Sequence, residues 1–463
     1  MNRQELEVVI LAAGLGTRMK SSKIKILHRA AGRPLIDYVL DTAAAVGART
    51  PIMVVGHQAD DVREAVGDRA RYALQEPQRG TGHAAMQAAA LLKRDASAGC
   101  HVLILSGDAP LVRPETLQRL IETHEREENA LTVLSMKPPE AGAYGRVVRD
   151  DEGAVVRIVE LKDATDDERR IAEVNAGIYV FAAQHLLDNL GKLSTDNAQN
   201  EYYLTDLIAM IRDAGHRVGA EVAPDPTEAI GVNSRAELAT VEAEIQRRVV
   251  ERMMRDGVTF RNPSTIVIDS TVTIGPDTVV YPFVTIEGTT AIGRDCVIEP
   301  FVHLENATVG NNVHLLTGTV VEEAAIGDDA SVGPYARLRP GSVLGRGVRI
   351  GNFVETKNAV FGEGSKALHL SYIGDAEVGT GVNIGAGTIT CNFDGFKKHK
   401  TIIEDEAFIG SDTQLVAPVT VGKGAFIGAG STITEDVPAG ALAMSRVPQR
   451  VIEDWVKKRR ERK

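Results

Sequence analysis

The sequence predicts an α/β Rossmann-like front half over residues 1–231 and a parallel β-helix over residues 257–442. A linker helix over 232–256 joins them, and a tail of 443–463 follows. Three observations predict this. Short apolar runs alternate with helical patterns in the front half. An aliphatic residue returns at every sixth position between Ile268 and Ile433. A separate helical stripe with its own start and stop signals lies between the two patterns.

In the front half, strands are expected at Val8–Ala12, Ile52–Val55, Val102–Leu105, Leu131–Met136, Val155–Glu160 and Gly177–Phe181. Helices are expected at Pro34–Val46, Gly82–Lys93, Pro114–Arg126 and Tyr203–Asp213. Such alternation predicts a mostly parallel sheet with helices on both faces. Ligands of these sheets bind beyond the carboxyl ends of the strands. Next, Ser234-Arg235-Ala236-Glu237 reads as a capping box. Leu238, Val241, Ile245, Val249 and Met253 recur behind it at helical spacing, and Asp256-Gly257 ends the helix.

The periodic half has three runs, from Ile268 to Leu304, from Ile326 to Ile350 and from Ile403 to Ile433. A period of six fits neither a helix nor a simple strand. It fits a parallel β-helix in which each hexapeptide forms one flat face. The aliphatic residue points inward, and the Gly that often follows is expected to free the backbone at the corner. Three faces close a coil, so the segment makes about nine coils, roughly 40–45 Å long at the usual strand spacing. Ile384 to Ile403 exceeds one coil by a single residue, so the register breaks there. The basic end, Lys457-Lys458-Arg459-Arg460, reads equally as a solvated tail or as a segment that docks on a neighbouring subunit.

Charged residues are 25% and hydrophobic ones 43% of 463, an ordinary soluble balance. A net charge of −11 argues against nucleic acid as a partner and leaves anionic small substrates open. Cys100, Cys296 and Cys391 form no C-x-x-C pair and read as reduced thiols. The first apolar run leads straight into a Gly loop, leaving no room for a signal peptide, and no 18-residue apolar run exists. A cytoplasmic protein without stable membrane insertion is expected.

The first strand opens into Leu11-Ala12-Ala13-Gly14-Leu15-Gly16-Thr17-Arg18-Met19. Glycines let backbone amides approach phosphates, and Arg18 and Lys25 can neutralise a triphosphate. The loop is neither a P-loop, lacking G-K-S/T, nor a complete dinucleotide fingerprint. In Gln75-Glu76-Pro77-Gln78-Arg79-Gly80-Thr81-Gly82-His83, Gln75 offers a nucleobase both donor and acceptor. His83 reads as a helix-start residue. The buried run His101–Ser106 delivers Asp108 to the ligand-binding end, where one carboxylate plus substrate phosphates suits Mg²⁺.

In this order the motifs resemble those of the sugar-nucleotide pyrophosphorylases. More narrowly they resemble the bacterial bifunctional N-acetylglucosamine-1-phosphate uridyltransferase/glucosamine-1-phosphate acetyltransferases, from Leu11 to about Arg446. The resemblance implies a nucleotidyltransferase domain in which Leu11, Ala12, Ala13, Gly14, Gln75, Gly80 and Thr81 bind the uridine nucleotide. Arg18 and Lys25 then contact phosphates, Asp108 and Asn233 hold Mg²⁺, and Gly145, Glu160 and Asn175 contact the sugar. Ile24 departs from the family's usual Pro, which leaves the loop around Lys25 less preorganised. The implied reaction is attack of a sugar-1-phosphate oxygen on the α-phosphorus of UTP with release of pyrophosphate. Positioning and charge neutralisation suffice for it.

In the periodic half, Lys366-Ala-Leu-His369-Leu-Ser-Tyr372 breaks the repeat, as do Thr390–Gly395 and the basic excursion Phe396–Lys400. A histidine can accept a proton from an attacking amine near neutral pH, and Asn392 can donate to a developing oxyanion. His303, His314 and His399 are read as structural, and a Cys391 nucleophile is not needed. The same resemblance implies that His369 is the acetyltransferase base and that Arg339, Lys357, Tyr372 and Asn383 bind a second sugar phosphate. It implies that Ala386, Asn392, Phe393, Ser411, Ala429 and Arg446 bind acetyl-CoA, with Phe393 replacing a usual Tyr. The family's β-helix is left-handed and its assembly a homotrimer with acetyl-CoA between subunits.

The leading reading is therefore an enzyme making UDP-N-acetylglucosamine from glucosamine-1-phosphate, acetyl-CoA and UTP. The alternative is a monofunctional sugar-1-phosphate nucleotidyltransferase whose β-helix is structural or regulatory. A non-enzymatic nucleotide-exchange subunit fits poorly with an intact Gly14–Arg18 loop, Asp108 and Asn233. A γ-type carbonic anhydrase would need a cluster of three zinc-ligand histidines, which the sequence does not suggest.

Overall fold

The structure is a computed structural model that describes residues 5–14, 16–95 and 99–461. Leu15 of the Gly loop and Lys463 of the tail lie outside the described residues. The chain forms two compact units, Met1–Ile245 and Gln246–Lys463, and their boundary falls inside the helix Arg235–Arg255.

The first unit is built on a nine-stranded sheet. Its main order is Val218–Val222, Leu131–Met136, Val174–Ala182, His101–Ser106, Leu6–Leu11, Ile52–Val55, Arg71–Leu74. Leu6–Leu11 pairs in parallel with both Ile52–Val55 and His101–Ser106. Val174–Ala182 runs antiparallel to its two neighbours, so the sheet is mixed rather than uniformly parallel. Alternation along the strands serves two cores. Val8 and Ile10 pack with the helices Leu35–Ala45 and Pro114–Arg126, while Val9 packs with Thr81–Asp95 and Ala183–Leu190. Burial on both faces explains why these strands read as continuous apolar runs.

Helix Pro114–Arg126 and strands Ile52–Val55 and Leu131–Met136 have the expected bounds. The helix expected from Tyr203 starts at Asp206, and the strand expected from Gly177 starts at Val174. Strands Arg71–Leu74 and Val218–Val222 were not anticipated. Both lie at ends of the sheet and are mostly half-exposed, so neither has a strong apolar pattern.

The second unit is a parallel β-helix. One face is an 11-stranded ladder from Thr259–Phe260 to Leu442–Ala443, and the other two faces join into a 17-stranded sheet. The column thus runs beyond both Ile268 and Ile433, longer than the nine coils expected. Ile268, Ile286, Ile298 and Leu304 are fully buried along its axis. Coils hold 17 or 18 residues, as in Ile298↔Leu315 and Ile286↔Leu304.

The glycine after the inward aliphatic residue does not turn the corner. A Cβ on Gly275 would stand 2.7 Å from Arg294 N, and one on Gly293 would stand 2.6 Å from Gly310 O. Glycine is needed there because adjacent coils stack backbone on backbone. The left-handed conformation falls two residues later, at Asp277, Asp295, Asn312 and Asp329 (φ 61, 59, 54 and 59°). Short polar side chains tolerate it there.

The register break is also larger than the sequence suggested. Ile384 pairs with Ile409, and Val378 with Ile403, across 25 residues. Ile403 therefore belongs to a different face from Ile384, and the chain from Cys391 to Lys400 is an added excursion. Among the described residues no helix is long and apolar enough to cross a membrane.

Candidate active sites

A cavity of about 420 Å³ opens at the carboxyl ends of the first unit's parallel strands. Eleven sequence-predicted residues line it: Leu11, Ala12, Ala13, Gly14, Lys25, Gln75, Gly80, Thr81, Asp108, Glu160 and Asn175. The Gly loop follows directly from Leu6–Leu11, and Gln78 fastens it by donating its amide to Ala13 O at 2.6 Å. Gln75 is buried and donates to Gly80 O at 3.0 Å. His83 is not among the residues lining the cavity. Its Nδ1 lies 3.1 Å from the Gln75 amide, so it orients Gln75. Gly80, at φ +95°, allows close approach to Tyr202, whose carbonyl would be 2.7 Å from an added Cβ. Thr81 Oγ1 accepts from Leu204 N at 3.1 Å.

Lys25, Asp108 and Asn233 converge. Ser106 Oγ donates to Asp108 Oδ1 at 2.7 Å, and the other carboxylate oxygen meets the Lys25 ammonium. The same ammonium donates to Asn233 Oδ1 at 3.0 Å. Asn233 is fixed by the start of the helix Arg235–Arg255. Ser234 Oγ accepts from Glu237 N at 3.3 Å, and Glu237 Oε2 accepts from Ser234 Oγ at 2.9 Å. The glutamate also reaches Asn233 N, at 2.8 Å, one residue beyond the usual reciprocal contact of a capping box. One carboxylate and one amide oxygen thus already share a cation. That donor set suits Mg²⁺, whose remaining positions go to phosphates and water. Ile24 takes φ −57°, inside the range a proline would impose, so the loop has the proline-like shape without the ring.

Arg18 stands apart. It is exposed on the turn Thr17–Met19 and does not line the cavity. Gly145 acts through lacking a side chain: a Cβ would lie 2.9 Å from Ile158 and 3.4 Å from Glu160 Oε1. Its carbonyl accepts from Asn175 N at 2.9 Å. A bulge between Asn175 and Ile178, with Gly177 at φ +73°, aims Asn175 into the cavity. The Asn175 amide donates to Tyr179 Oη at 2.7 Å. Burial pushes the Glu160 carboxyl above its usual range, opposed by the Thr205 hydroxyl. Gln78, Ser106, Tyr179, Glu201 and Thr205 also line the cavity and were missed. Gln78 and Ser106 lay inside quoted motifs; Tyr179 is brought in by a strand and Glu201 and Thr205 by a loop remote in sequence.

In the β-helix, Asn352 pairs with His369. Ala367, Ile384, Ile409 and Ile427 pair in successive coils. Two residues past each of these, His369, Ala386, Ser411 and Ala429 form one corner column. The Arg446 guanidinium donates to Ala429 O at 2.9 Å and closes the column. His369 is exposed, and its Nδ1 lies 3.0 Å from Asn352 Oδ1. With that oxygen as acceptor Nδ1 carries the proton, leaving the Nε2 lone pair available as a base.

Arg339 and Lys357 stack at a different corner, one residue past the pair Leu338↔Thr356. Tyr372 lies on the face leading to that corner, paired with Glu355, while Asn383 lies on the 11-stranded ladder. Arg339 donates to Glu355 at 2.8 Å. Lys398, first, and then Arg339 lower the Lys357 pKa by like-charge crowding. Phe393 is exposed in the excursion, whereas Asn392 is buried and its amide donates to Asp375. His369 and Asn392 therefore sit at different corners of one column, not in a shared notch. A convex column points its side chains apart. His303, His314 and His399 each meet a carboxylate, at 3.0, 2.8 and 2.6 Å. Burial raises the Cys391 thiol, which disfavours a thiolate.

Comparison with known proteins matches residues 8–208 to the MobA-like NTP transferase domain and 263–361 to the GMPPB C-terminal domain. Residues 400–435 match the bacterial transferase hexapeptide repeat, so the column is the left-handed β-helix of hexapeptide repeats. The chain is 50% identical to the "Bifunctional protein GlmU" of Pelobacter propionicus, covering 98% of both chains. It is 50% identical to that of Trichlorobacter lovleyi, with the same coverage. The protein of the same name from Koribacter versatilis is 48% identical over 99% of this chain and 98% of its own. The chain belongs to the bifunctional GlmU family, joining an acetyltransferase to a uridylyltransferase in UDP-N-acetylglucosamine synthesis.

Proposed function

We propose that uridylyl transfer occurs in the cavity of the first unit and acetyl transfer on the β-helix. The observation that carries the first assignment is the convergence of Asp108 and Asn233 on one cation position at the strand ends. Gln75, Gly80 and Thr81 receive the uracil, and Gly14 and its neighbours receive the phosphates. Lys25 neutralises phosphate charge, with Arg18 able to join only from its exposed turn. Gly145, Glu160 and Asn175 orient the sugar so that its phosphate oxygen attacks the α-phosphorus in line and pyrophosphate leaves. Asp108 and Asn233 would hold Mg²⁺, which supplies further charge neutralisation when bound.

On the β-helix, the glucosamine amine attacks the thioester carbonyl of acetyl-CoA, His369 Nε2 accepts the amine proton, and the CoA thiolate leaves. Arg339, Lys357 and Tyr372 receive the sugar phosphate. Ala386, Ser411, Ala429 and Arg446 form the CoA-binding corner. Asn383 lies on the same ladder as His369, whereas Asn392 and Phe393 complete this centre from another copy of the chain, because one column separates them from His369. A homotrimer is supported by an exposed aromatic ladder: Phe283 stacks on Phe301 at 5.4 Å and Tyr335 on Phe353 at 5.8 Å. Exposed apolar surface of this kind is characteristic of an interface. Acetylation precedes uridylyl transfer, and the substrates place the enzyme in the cytoplasm.

The test is to assay both reactions in two full-length variants. Asp108→Ala is expected to abolish UTP-dependent pyrophosphate release and spare CoA release, and His369→Ala to do the reverse. Loss of both activities from either folded variant would refute two independent centres.

A further inference from the structure

We propose that Asp375 is a positioning residue of the acetyl-transfer centre: its buried carboxylate holds Asn392 and so fixes the excursion from Cys391 to Lys400. The inference rests on the reading of the second unit given above.

Asp375 lies where the coil opens. On one side, the strand Tyr372–Val378 pairs with the preceding strand Glu355–Phe361 through Lys357↔Gly374 and Ala359↔Ala376. On the other side it changes partner. Tyr372 pairs with Ile389, but Ala376 pairs with Thr401, and the chain between has left the ladder. Asp375 sits at the point of departure, at a corner with φ +47°. Its Oδ1 accepts from the Asn358 amide at 2.7 Å. Its Oδ2 accepts from the Asn392 amide, and Lys398 Nζ lies 4.0 Å from the same oxygen.

The excursion has its own internal brace. Asp394 accepts from Phe396 N at 2.8 Å and Lys397 N at 2.7 Å, and its other oxygen meets His399 at 2.6 Å. Asp394 thus sets the shape of the loop, while Asp375 sets its position on the column. The Asp375 carboxylate also faces a basic patch, with Lys398 Nζ 4.0 Å from its Oδ2 and Lys357 beside Lys398. A carboxylate suits the role for a geometric reason. Both amide neighbours point N–H groups at it, and only a carboxylate presents an acceptor to each. An asparagine would turn one of its own N–H groups towards a donor.

The test is steady-state acetyl transfer from acetyl-CoA to glucosamine-1-phosphate in the full-length enzyme. Asp375→Ala is expected to lower kcat/KM at least 30-fold and to raise KM for the sugar phosphate. Asp375→Asn, keeping one acceptor, should lose an intermediate amount. Asn358→Ala, which severs only the arm to the preceding coil, should stay within threefold of wild type. In an Asn392→Ala background, Asp375→Ala should add less than threefold, because the two act through one contact. Uridylyl transfer should not move.

A folded Asp375→Ala enzyme within threefold of wild type would overturn the proposal. So would equal losses from Asn358→Ala, or fully additive losses with Asn392→Ala. If Asp375→Ala does not fold, Asp375→Asn alone and combined with Asn392→Ala decides by the same criteria. If His369→Ala retained full acetyl transfer, the fault would lie in the underlying reading and not in Asp375.

Discussion

The nucleotide cavity and the acetyl-transfer corners are built in opposite ways. In the first unit strands from distant parts of the chain end side by side, and loops that leave them converge on one space of about 420 Å³. In the second unit each coil repeats the last, so side chains at equal positions line up in columns facing solvent. His369, Ala386, Ser411 and Ala429 share one such column, and Arg339 and Lys357 another. An open sheet gathers residues within one chain, whereas a column sorts them onto separate corners.

The largest expected effect contrasts two glycines. A Cβ on Gly351 would stand 1.9 Å from Leu368 O, on rigid backbone of the next coil, whereas nothing lies within 4 Å of one on Gly14. Gly351→Ala should destabilise the second unit by on the order of 3 kcal/mol or more and suppress acetyl transfer at least 100-fold. Gly14→Ala should leave thermal stability nearly unchanged while raising KM for UTP. Denaturant melts with both assays separate the two, and equal stability losses would erase the contrast.

Lys25→Met should lower kcat/KM for UTP roughly 100-fold, the scale of losing one preorganised charge contact. It should also tighten Mg²⁺ binding in the absence of nucleotide, because Asp108 and Asn233 no longer share the ammonium. Unchanged Mg²⁺ affinity by titration calorimetry would show that the oxygens do not form one cation site.

Dilution should distinguish the centres next. If the corners are completed by other copies, specific acetyl transfer should fall about tenfold below the dissociation concentration, with uridylyl transfer constant. Parallel decline of both activities would contradict a single-chain cavity.

How much of this was legible follows from the kind of order involved. Strict repetition made the column visible, because every inward aliphatic residue obeys the same burial constraint. The role of Gly275 and Gly293 was not visible. Close stacking and positive φ both select glycine, and only coordinates tell them apart. In the cavity, residues inside the quoted loops, such as Gln75 and Gly80, lie where expected. Tyr179 was hidden because strand adjacency, not chain proximity, brings it in, and Glu201 because it arrives on a loop remote in sequence. Arg18 sits on an exposed turn beside the Gly loop and is not among the residues lining the cavity. Asp375 lay between the two segments that break the repeat, and only the coordinates show the excursion departing beside it.

The smallest expected effect concerns acid. His124 is fully buried, contacts Thr132 Oγ1 at 3.0 Å and meets the His101 ring edge-on at 4.7 Å. Burial, then His101, lowers its pKa to about 3. Unfolded, it would titrate near 6.5, so the unfolded chain binds the extra proton between those values. The first unit should therefore lose stability as pH falls below about 6.5, by at most about 1.4 kcal/mol per pH unit from this group. His124→Gln should flatten that slope in urea titrations. An unchanged slope would assign the acid sensitivity elsewhere.

The coil repeat has one more consequence. Each rung pairs only with those directly above and below, and the chemistry-bearing positions begin at Arg339. Excising residues 279–296, a single full turn, would bring Val297 opposite Thr259 and leave every later alignment intact. The length of the pillar is in that sense a quantised variable, open to drift by whole turns without disturbing catalysis.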